Sequence, residues 1–169
     1  MSRSPIDSKI IPPENLKSLV QKMRSEGKSI ATLNGSFDLL HAGHLEIITQ
    51  GSLQADVLLV ALNSDKSIQQ YKSPLRPIIP LKYRLQMMAA LGMVDYVTFF
   101  EETDPREFLK IVKSNVHVNG AEYGENCIEA EVVKANGGRL HIVQLVPGLS
   151  TSKIIEKILS IQEAERVKS

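Results

Sequence analysis

Residues 29–44 read SIATLNGSFDLLHAGH, and this stretch decides the fold. Its first part, SIATLN, is a short apolar run typical of a buried strand, and the chain then turns at Gly35 toward a helix that begins near Ala42. A second apolar run, DVLLVAL at residues 56–62, follows that helix and is the clearest buried strand in the chain. Strand, helix and strand in this order form the repeating unit of a parallel sheet.

The same alternation continues on both sides of this stretch. Further strands are predicted at residues 95–100, 116–118 and 139–146, and helices at residues 14–26, 42–53, 81–91, 105–113, 128–136 and 151–165. This pattern predicts an α/β, Rossmann-like doubly wound fold with about five parallel strands in a three-layer α/β/α arrangement. We find no repeat, low-complexity tract or linker. We therefore expect one domain over residues 1–169, with a core at about 28–158 preceded by the helix at 14–26.

Composition and charge exclude several classes of protein. Hydrophobic residues make up 43% of the chain, and 20 Lys and Arg residues balance 19 Asp and Glu residues, so neither an acidic tail nor a broad nucleic-acid-binding face is expected. The single cysteine, Cys127, excludes an internal disulfide and a multi-cysteine metal site. Residues 1–9 lack the apolar core of a signal peptide, and no window approaches the ~20 apolar residues of a membrane span. We expect a cytoplasmic protein with no membrane or nucleic-acid partner.

Most of the unusual chemistry falls where the predicted strands end. Ligands of doubly wound sheets bind at the carboxyl ends of the strands, near the switch in strand order. Four segments lie at these ends, at residues 35–44, 63–76, 119–125 and 147–152.

The first of these segments has the features of an anion site. It joins a strand to a helix start, where free N–H groups and the helix dipole favour negative charge, and Gly35 and Gly43 let a phosphate approach the backbone. His41 and His44 can project from one side of the helix entrance and donate hydrogen bonds to phosphate oxygens. An isolated pair of this kind is more often a surface or capping pair, and with Asp38 it could also bind a metal, although no further His or Cys lies nearby.

In its full context, GSFDLLHAGH resembles the HxGH signature of the nucleotidyltransferase superfamily. The form GxFDxxHxGH is the one used by cytidylyltransferases and heptose-phosphate adenylyltransferases. Other phosphate motifs are absent: residues 27–29 imitate the end of a P-loop, but Lys22 stands where its first glycine is required, and no GxGxxG occurs. The resemblance implies that His41 and His44 are catalytic and that Gly35, Ser36, Phe37 and Gly43 line the nucleotide site.

The second segment, GLSTSKII at residues 148–155, places three hydroxyls where the last helix begins. By itself it would indicate ordinary N-capping by Ser150 or Thr151. Beside an HxGH motif it resembles the superfamily's second signature, ISTTxI or SSTxI. In that family the hydroxyls and the helix amides hold the outer phosphates of the nucleotide, which implies this role for Ser150, Thr151 and Ser152.

The third segment combines Asn63 with the cations Lys72, Arg76 and Arg84. Alone it would be a solvated charged loop, but near a triphosphate such a cluster could screen charge and bind an anionic acceptor. The spacing from Asn63 to Arg84 resembles one branch, the adenylyltransferase of ADP-heptose synthesis, which transfers AMP from ATP to heptose 1-phosphate. Residues 89–97 and 135–138 continue the resemblance, which covers roughly residues 28–158. It implies Lys72 as a catalytic residue and Asp38, Asn63, Arg76 and Arg84 as substrate-binding residues.

The fourth segment, NGAEY at residues 119–123, stands where that branch usually shows KGGDY. Gly120 and Tyr123 agree with the branch, whereas Asn119 and Glu122 depart from it, so the role of the lysine and the contacts to base or ribose stay open. All four are candidate nucleotide-binding residues. Glycerol-3-phosphate cytidylyltransferases carry Arg-Thr where this chain has Leu145-Val146, which disfavours CTP.

The hypothesis from the sequence is an adenylyltransferase acting on a sugar 1-phosphate, with ATP as substrate and Mg²⁺ bound to its phosphates. No protein metal site is expected, and a homodimer or higher homo-oligomer is a possible assembly. Two alternatives stay open: a CTP-dependent cytidylyltransferase acting on glycerol 3-phosphate or a similar alcohol phosphate, and a non-catalytic nucleotide-binding sensor.

Overall fold

Five parallel strands form one sheet in the computed structural model, which describes residues 5–124, 126–144 and 146–166. The strands are β1 (Ile30–Gly35), β2 (Val57–Asn63), β3 (Tyr96–Phe100), β4 (Val116–Gly120) and β5 (Arg139–Val143). Their order is β3-β2-β1-β4-β5, and each neighbouring pair is parallel. The predicted doubly wound α/β fold is confirmed, and its order reverses between β1 and β4.

Helices connect the strands, as the alternating pattern predicts. They are α1 (Pro5–Lys9), α2 (Leu16–Ser25), α3 (Ala42–Ser52), α4 (Asp65–Tyr71), α5 (Leu81–Ala90), α6 (Arg106–Val112), α7 (Ala130–Ala135) and α8 (Thr151–Arg166). The sequence analysis missed α1 and α4. Helix α4 lies in a polar stretch with little periodicity, and it begins because the Ser64 hydroxyl accepts a hydrogen bond from the Ser67 amide. The last strand ends at Val143 rather than Val146.

The core lies on both faces of the sheet. Strand β2 is buried along its whole length, and successive side chains point to opposite faces. On one face, residues such as Leu58 and Val60 pack with α3 and α5; on the other, residues such as Leu59 pack with α2 and α6. This is the predicted three-layer arrangement. The extent of the domain over residues 1–169 stays a prediction.

Helix α8 differs from the others because none of its residues is buried. It is joined to the body of the protein at its first residue, where the Thr151 hydroxyl donates to the Asp38 carbonyl at 2.8 Å. No helix in the described ranges is both long and apolar enough to cross a membrane.

Candidate functional site

A cavity of about 590 Å³ opens at the carboxyl edge of the sheet, where β1 and β4 are neighbours. Its volume is in the range of small-molecule sites. All four predicted segments contribute to it. The predicted residues on its lining are Gly35, Ser36, Phe37, His41, Gly43, His44, Asn63, Lys72, Arg76, Asn119, Gly120, Glu122, Tyr123, Ser150, Thr151 and Ser152. Asp38 and Arg84 are not part of the lining.

The loop between β1 and α3 is held in a strained conformation. Phe37 and Leu39 have φ angles of 46° and 51°, in a left-handed region that bulky residues rarely adopt and that costs on the order of 1–3 kcal/mol each. Gly35 accommodates this turn, since a Cβ there would lie 3.1 Å from Cε2 of Phe37. The buried Phe37 ring in turn lies 5.2 Å from the ring of His44, centroid to centroid. The strain therefore fixes the position of a histidine.

The two predicted histidines stack on each other at the start of α3. Their ring centroids are 3.8 Å apart, with an interplanar angle of 21°. Gly43 makes room for this stack, because a Cβ there would lie 3.0 Å from Cε1 and Nδ1 of His41. In both rings Nδ1 is buried and has no hydrogen-bond partner among the described residues. Nε2 is therefore the nitrogen through which each ring can meet a ligand.

Both histidines favour the neutral form in the unliganded protein. The pKa of His44 is lowered to about 4, chiefly by burial and further by the nearby His41 and Lys72, whereas the charge of Asp38 acts in the opposite direction. Burial also lowers the pKa of His41. A polyphosphate in the cavity would add negative charge, which favours protonation. Each ring can thus donate one N–H to an anionic oxygen, and can gain charge as that anion binds.

Two helix N-termini meet at this cavity. Besides α3, the start of α8 reaches it, and the Thr151–Asp38 hydrogen bond ties that start to the histidine loop. The Ser150 hydroxyl caps α8 by accepting a hydrogen bond from the Lys153 amide at 3.2 Å. Ser150 also lines the cavity, so it has both positions at once. Helix N-termini attract anions through free amides and the helix dipole.

Two cations face the same space. The Lys72 ammonium donates to the Ser36 hydroxyl at 2.9 Å, and partial burial, followed by the charge of Arg76, lowers the pKa of Lys72. Arg76 forms an ion pair with Asp38, with 2.8 Å between Nη2 and Oδ2. With the helix starts, these groups make one side of the cavity positive.

Asp38 organises the loops and does not line the cavity. It is 1% exposed, and its carboxylate accepts from Arg76 Nε and from the amides of Ile78 and Ile79, each at 2.9 Å. These bonds hold the segment after α4 against the histidine loop. The structure therefore shows Asp38 in a supporting role, and its expected contact with substrate stays a prediction.

Arg84 has a similar supporting role. The residue is 1% exposed. Nη1 donates to the carbonyl of Ser36 at 2.7 Å and to that of Asn63 at 2.9 Å. Nη2 donates to the carboxylate of Asp65 at 2.7 Å, and Nε donates to the carbonyl of Ile79. All three of its nitrogens are directed to protein oxygens. Arg84 thus links the ends of β1 and β2 through hydrogen bonds, and its expected ligand contact stays a prediction.

The loop after β4 forms the far side of the cavity. Gly120 lets the Glu122 carboxylate lie close to the backbone, since a Cβ there would be 2.1 Å from Oε2 of Glu122 and that side chain would have to move. Glu129, which the sequence analysis did not single out, also lines the cavity and lies next to Asn119. No motif surrounds Glu129. Its position at the end of the loop after β4 is the one signal that could have marked it as a residue of the cavity. Cys127 also lines the cavity.

The described residues contain no group of three or more His, Cys, Asp or Glu side chains placed to hold a metal ion. The alternative of a metal bound by His41, His44 and Asp38 meets a specific obstacle. The Asp38 carboxylate is already occupied by Arg76 and two backbone amides. A divalent cation at this site would thus depend on ligands other than a protein cluster.

Replacing Lys72 with Ala is expected to weaken the binding of an anionic ligand by about 1–3 kcal/mol, the value of a lost charge-assisted hydrogen bond. The reason is that the ammonium lies at the positive side of the cavity. Calorimetric titration with a nucleoside triphosphate measures the change. Lys66→Ala, at an exposed position on α4, the helix that Lys72 follows, is the matched control. Equal affinities for both variants would make Lys72 an ordinary surface charge.

Comparison with protein families gives one match that spans most of the chain. The model of the family described as cytidylyltransferase-like matches residues 32–166. This range begins in β1 and includes both predicted signatures, the histidine loop and the start of α8.

Curated relatives share the same region. Bifunctional protein HldE of Syntrophotalea carbinolica is 39% identical over 158 residues, which cover 93% of this chain and 32% of that protein. The protein of the same name from Citrifermentans bemidjiense is 40% identical over 155 residues, covering 91% of this chain and 32% of the relative. The chain thus spans about a third of the length of these relatives.

Solved structures agree with the fold. The lipopolysaccharide core biosynthesis protein from Thermoplasma volcanium is 25% identical, with a TM-score of 0.57 and coverage of 71% of this chain and 98% of that chain. Pantoate-beta-alanine ligase from Francisella tularensis is 17% identical, with a TM-score of 0.58 and coverage of 89% and 79%. At that identity, the second structure supports the fold alone.

Proposed function

Since this chain belongs to the cytidylyltransferase-like family, we propose that it transfers AMP from ATP to a sugar 1-phosphate and releases pyrophosphate. The acceptor that we propose is D-glycero-D-manno-heptose 1-phosphate. Nucleotidyl transfer follows from the family, whereas the nucleotide and the acceptor are the proposal. Three findings support it: the spacing from Asn63 to Arg84, the relatives named bifunctional protein HldE, and the likeness to a lipopolysaccharide core biosynthesis protein.

One observation carries the proposal. Two helix N-termini, a stacked histidine pair and two cations share one cavity of small-molecule size. The hydrogen bond from Thr151 to Asp38 holds the two helix starts together. This arrangement suits a ligand with several phosphates in a row better than one with a single charge.

The reaction needs little beyond positioning and charge stabilisation. A phosphate oxygen of the acceptor attacks the α-phosphorus of ATP in line, a new P–O bond forms, and the bond to the bridging oxygen of the β-phosphate breaks, so that pyrophosphate leaves with that electron pair. A phosphate monoester has a second pKa of about 6 and is largely dianionic at pH 7, so no strong general base is required. The chain contributes orientation and preorganised donors.

Each group has a place in this scheme. His41 and His44 donate to the α-phosphate, whose charge grows in the transition state, while Lys72 and the start of α8 bind the outer phosphates. Arg76 and Asn63, which line the cavity, would contact the acceptor or the triphosphate. Mg²⁺, when present with ATP, would neutralise phosphate charge; since no cluster among the described residues is placed to hold it, phosphates and water would be its ligands.

ATP is expected to exceed CTP by at least about 10-fold in kcat/KM, a little over 1 kcal/mol of discrimination. The reasons are the heptose-branch spacing and the replacement of the cytidylyltransferase Arg-Thr at positions 145–146; Leu145 lies outside the described residues. Initial rates of pyrophosphate release with heptose 1-phosphate and each of the four common nucleoside triphosphates measure it.

The same assay separates the alternatives. Equal or better use of CTP would contradict the adenylyl assignment, and activity with glycerol 3-phosphate in place of the sugar would favour the cytidylyltransferase alternative. Nucleotide binding without turnover on any acceptor would favour the sensor. A cytoplasmic location and homo-oligomeric assembly stay predictions.

A further inference from the structure

Glu129 places a buried carboxylate on the wall of the cavity. The residue is 6% exposed and lies just before α7, where its side chain makes no capping hydrogen bond. Its backbone carbonyl accepts from the Val133 amide, so the main chain already contributes to the helix start. The side chain is not needed there for capping.

The carboxylate has little compensation from the protein. Its hydrogen-bond donor is the Asn119 side-chain amide, at a long 3.4 Å from Oε2. Within the described ranges, no Lys, Arg or His forms a salt bridge with it. A buried carboxylate is costly unless it receives hydrogen bonds, and it can accept about four. Glu129 therefore has acceptor capacity left for a ligand.

The strand order separates this acid from the cations. Lys72 and Arg76 follow β2, on one side of β1, whereas Asn119 ends β4 on the other side. The acids Glu122 and Glu129 both line the cavity beyond β4. The cavity is thus positive at one end and negative at the other, so the phosphates of a nucleotide belong at the cations and the nucleoside at the acids.

We propose that Glu129, oriented by Asn119, accepts hydrogen bonds from neutral donors of the nucleoside and thereby helps to select the nucleotide. This inference rests on the proposed function in that the ligand is a nucleoside triphosphate. Two parts of the ATP nucleoside carry such donors: the ribose hydroxyls and the exocyclic amine of the base. The branch that the sequence resembles has lysine at position 119; a lysine beside Glu129 would neutralise it, whereas Asn119 leaves its charge for the ligand.

The test measures coupling between Glu129 and individual donors. Wild type, Glu129→Ala and Glu129→Gln are titrated calorimetrically with ATP, 2′-deoxy-ATP, 3′-deoxy-ATP and inosine triphosphate. Glu129→Ala should weaken ATP binding by about 10- to 100-fold, the range for a lost hydrogen bond to a charged group. The analogue that lacks the relevant donor should lose at most about 3-fold, because its partner is already missing. Glu131→Ala, an exposed acid in α7, is the matched control.

The outcomes show whether Glu129 accepts a hydrogen bond from the nucleoside, and from which donor. If Glu129→Ala weakens the binding of ATP much more than that of a deoxy analogue, the ribose is the partner. If it weakens the binding of ATP much more than that of inosine triphosphate, the amine of the base is the partner. Equal losses for all four ligands, or no loss, would overturn the inference while leaving nucleotide binding intact. A wild type that binds none of the four would overturn the proposed function as well. Glu129→Gln keeps the shape of the side chain, so a partial loss in that variant, with an unchanged unfolding midpoint, separates the lost charge from misfolding.

Discussion

Replacing His41 or His44 with Ala should lower kcat by about 10²- to 10³-fold, the usual effect of removing one preorganised donor to a developing oxyanion. The two rings stack at the N-terminus of α3 and reach the cavity through Nε2. Their contribution grows as charge builds up on the α-phosphate, so turnover should fall much more than affinity for ATP. Stopped-flow or steady-state pyrophosphate release measures kcat, and calorimetry measures affinity.

His141 provides the matched control for the histidine variants. It lies on the edge strand β5 and is absent from the lining of the cavity. His141→Ala should keep wild-type turnover. Near-normal kcat in His41→Ala or His44→Ala would remove that histidine from the mechanism.

Arg84→Met should reduce the free energy of unfolding by about 2–5 kcal/mol, the cost of leaving two buried carbonyl acceptors without a donor. The change leaves the carbonyls of Ser36 and Asn63 without their donor, at about 1–3 kcal/mol for each unsatisfied buried acceptor, whereas the partly exposed carboxylate of Asp65 can be solvated. Methionine fills much of the same volume, so lost hydrogen bonds rather than a cavity account for the effect. Denaturant titration followed by circular dichroism measures it.

Lys82→Met, at an exposed neighbouring position of α5, should change stability by less than about 0.5 kcal/mol. The two roles considered for Arg84 then give opposite results. A stable Arg84→Met protein with a strongly raised KM for the acceptor would support the ligand contact that the spacing predicts. An unstable Arg84→Met protein whose folded fraction keeps its KM would support the structural role of Arg84 between the ends of β1 and β2.

Local patterns were enough to predict the elements that build the site. The apolar runs predicted β1 and β2, which are confirmed; the glycines around the histidines predicted a helix start at the site, and α3 begins there, at the cavity. These features depend on residues close together in the chain. Helix α4 was missed because a seven-residue polar helix, stabilised by its Ser64 cap and tertiary packing, has no clear period.

Local patterns in the sequence predicted the fold class, the five strands in order and the four segments that meet at the carboxyl edge of the sheet, but not helices α1 and α4. Only the tertiary structure decided which charged side chains line the cavity. Arg84 and Ser36 are 48 residues apart in the chain and Asp38 and Ile79 are 41 apart, yet the fold brings each pair into hydrogen-bonding contact and buries the side chains of Arg84 and Asp38. Glu129, by contrast, belongs to no motif and was not predicted, yet it lines the cavity because β4 pairs with β1. The physical reason is that periodicity and turn chemistry act between near neighbours, whereas a charge binds whichever partner the completed fold places beside it.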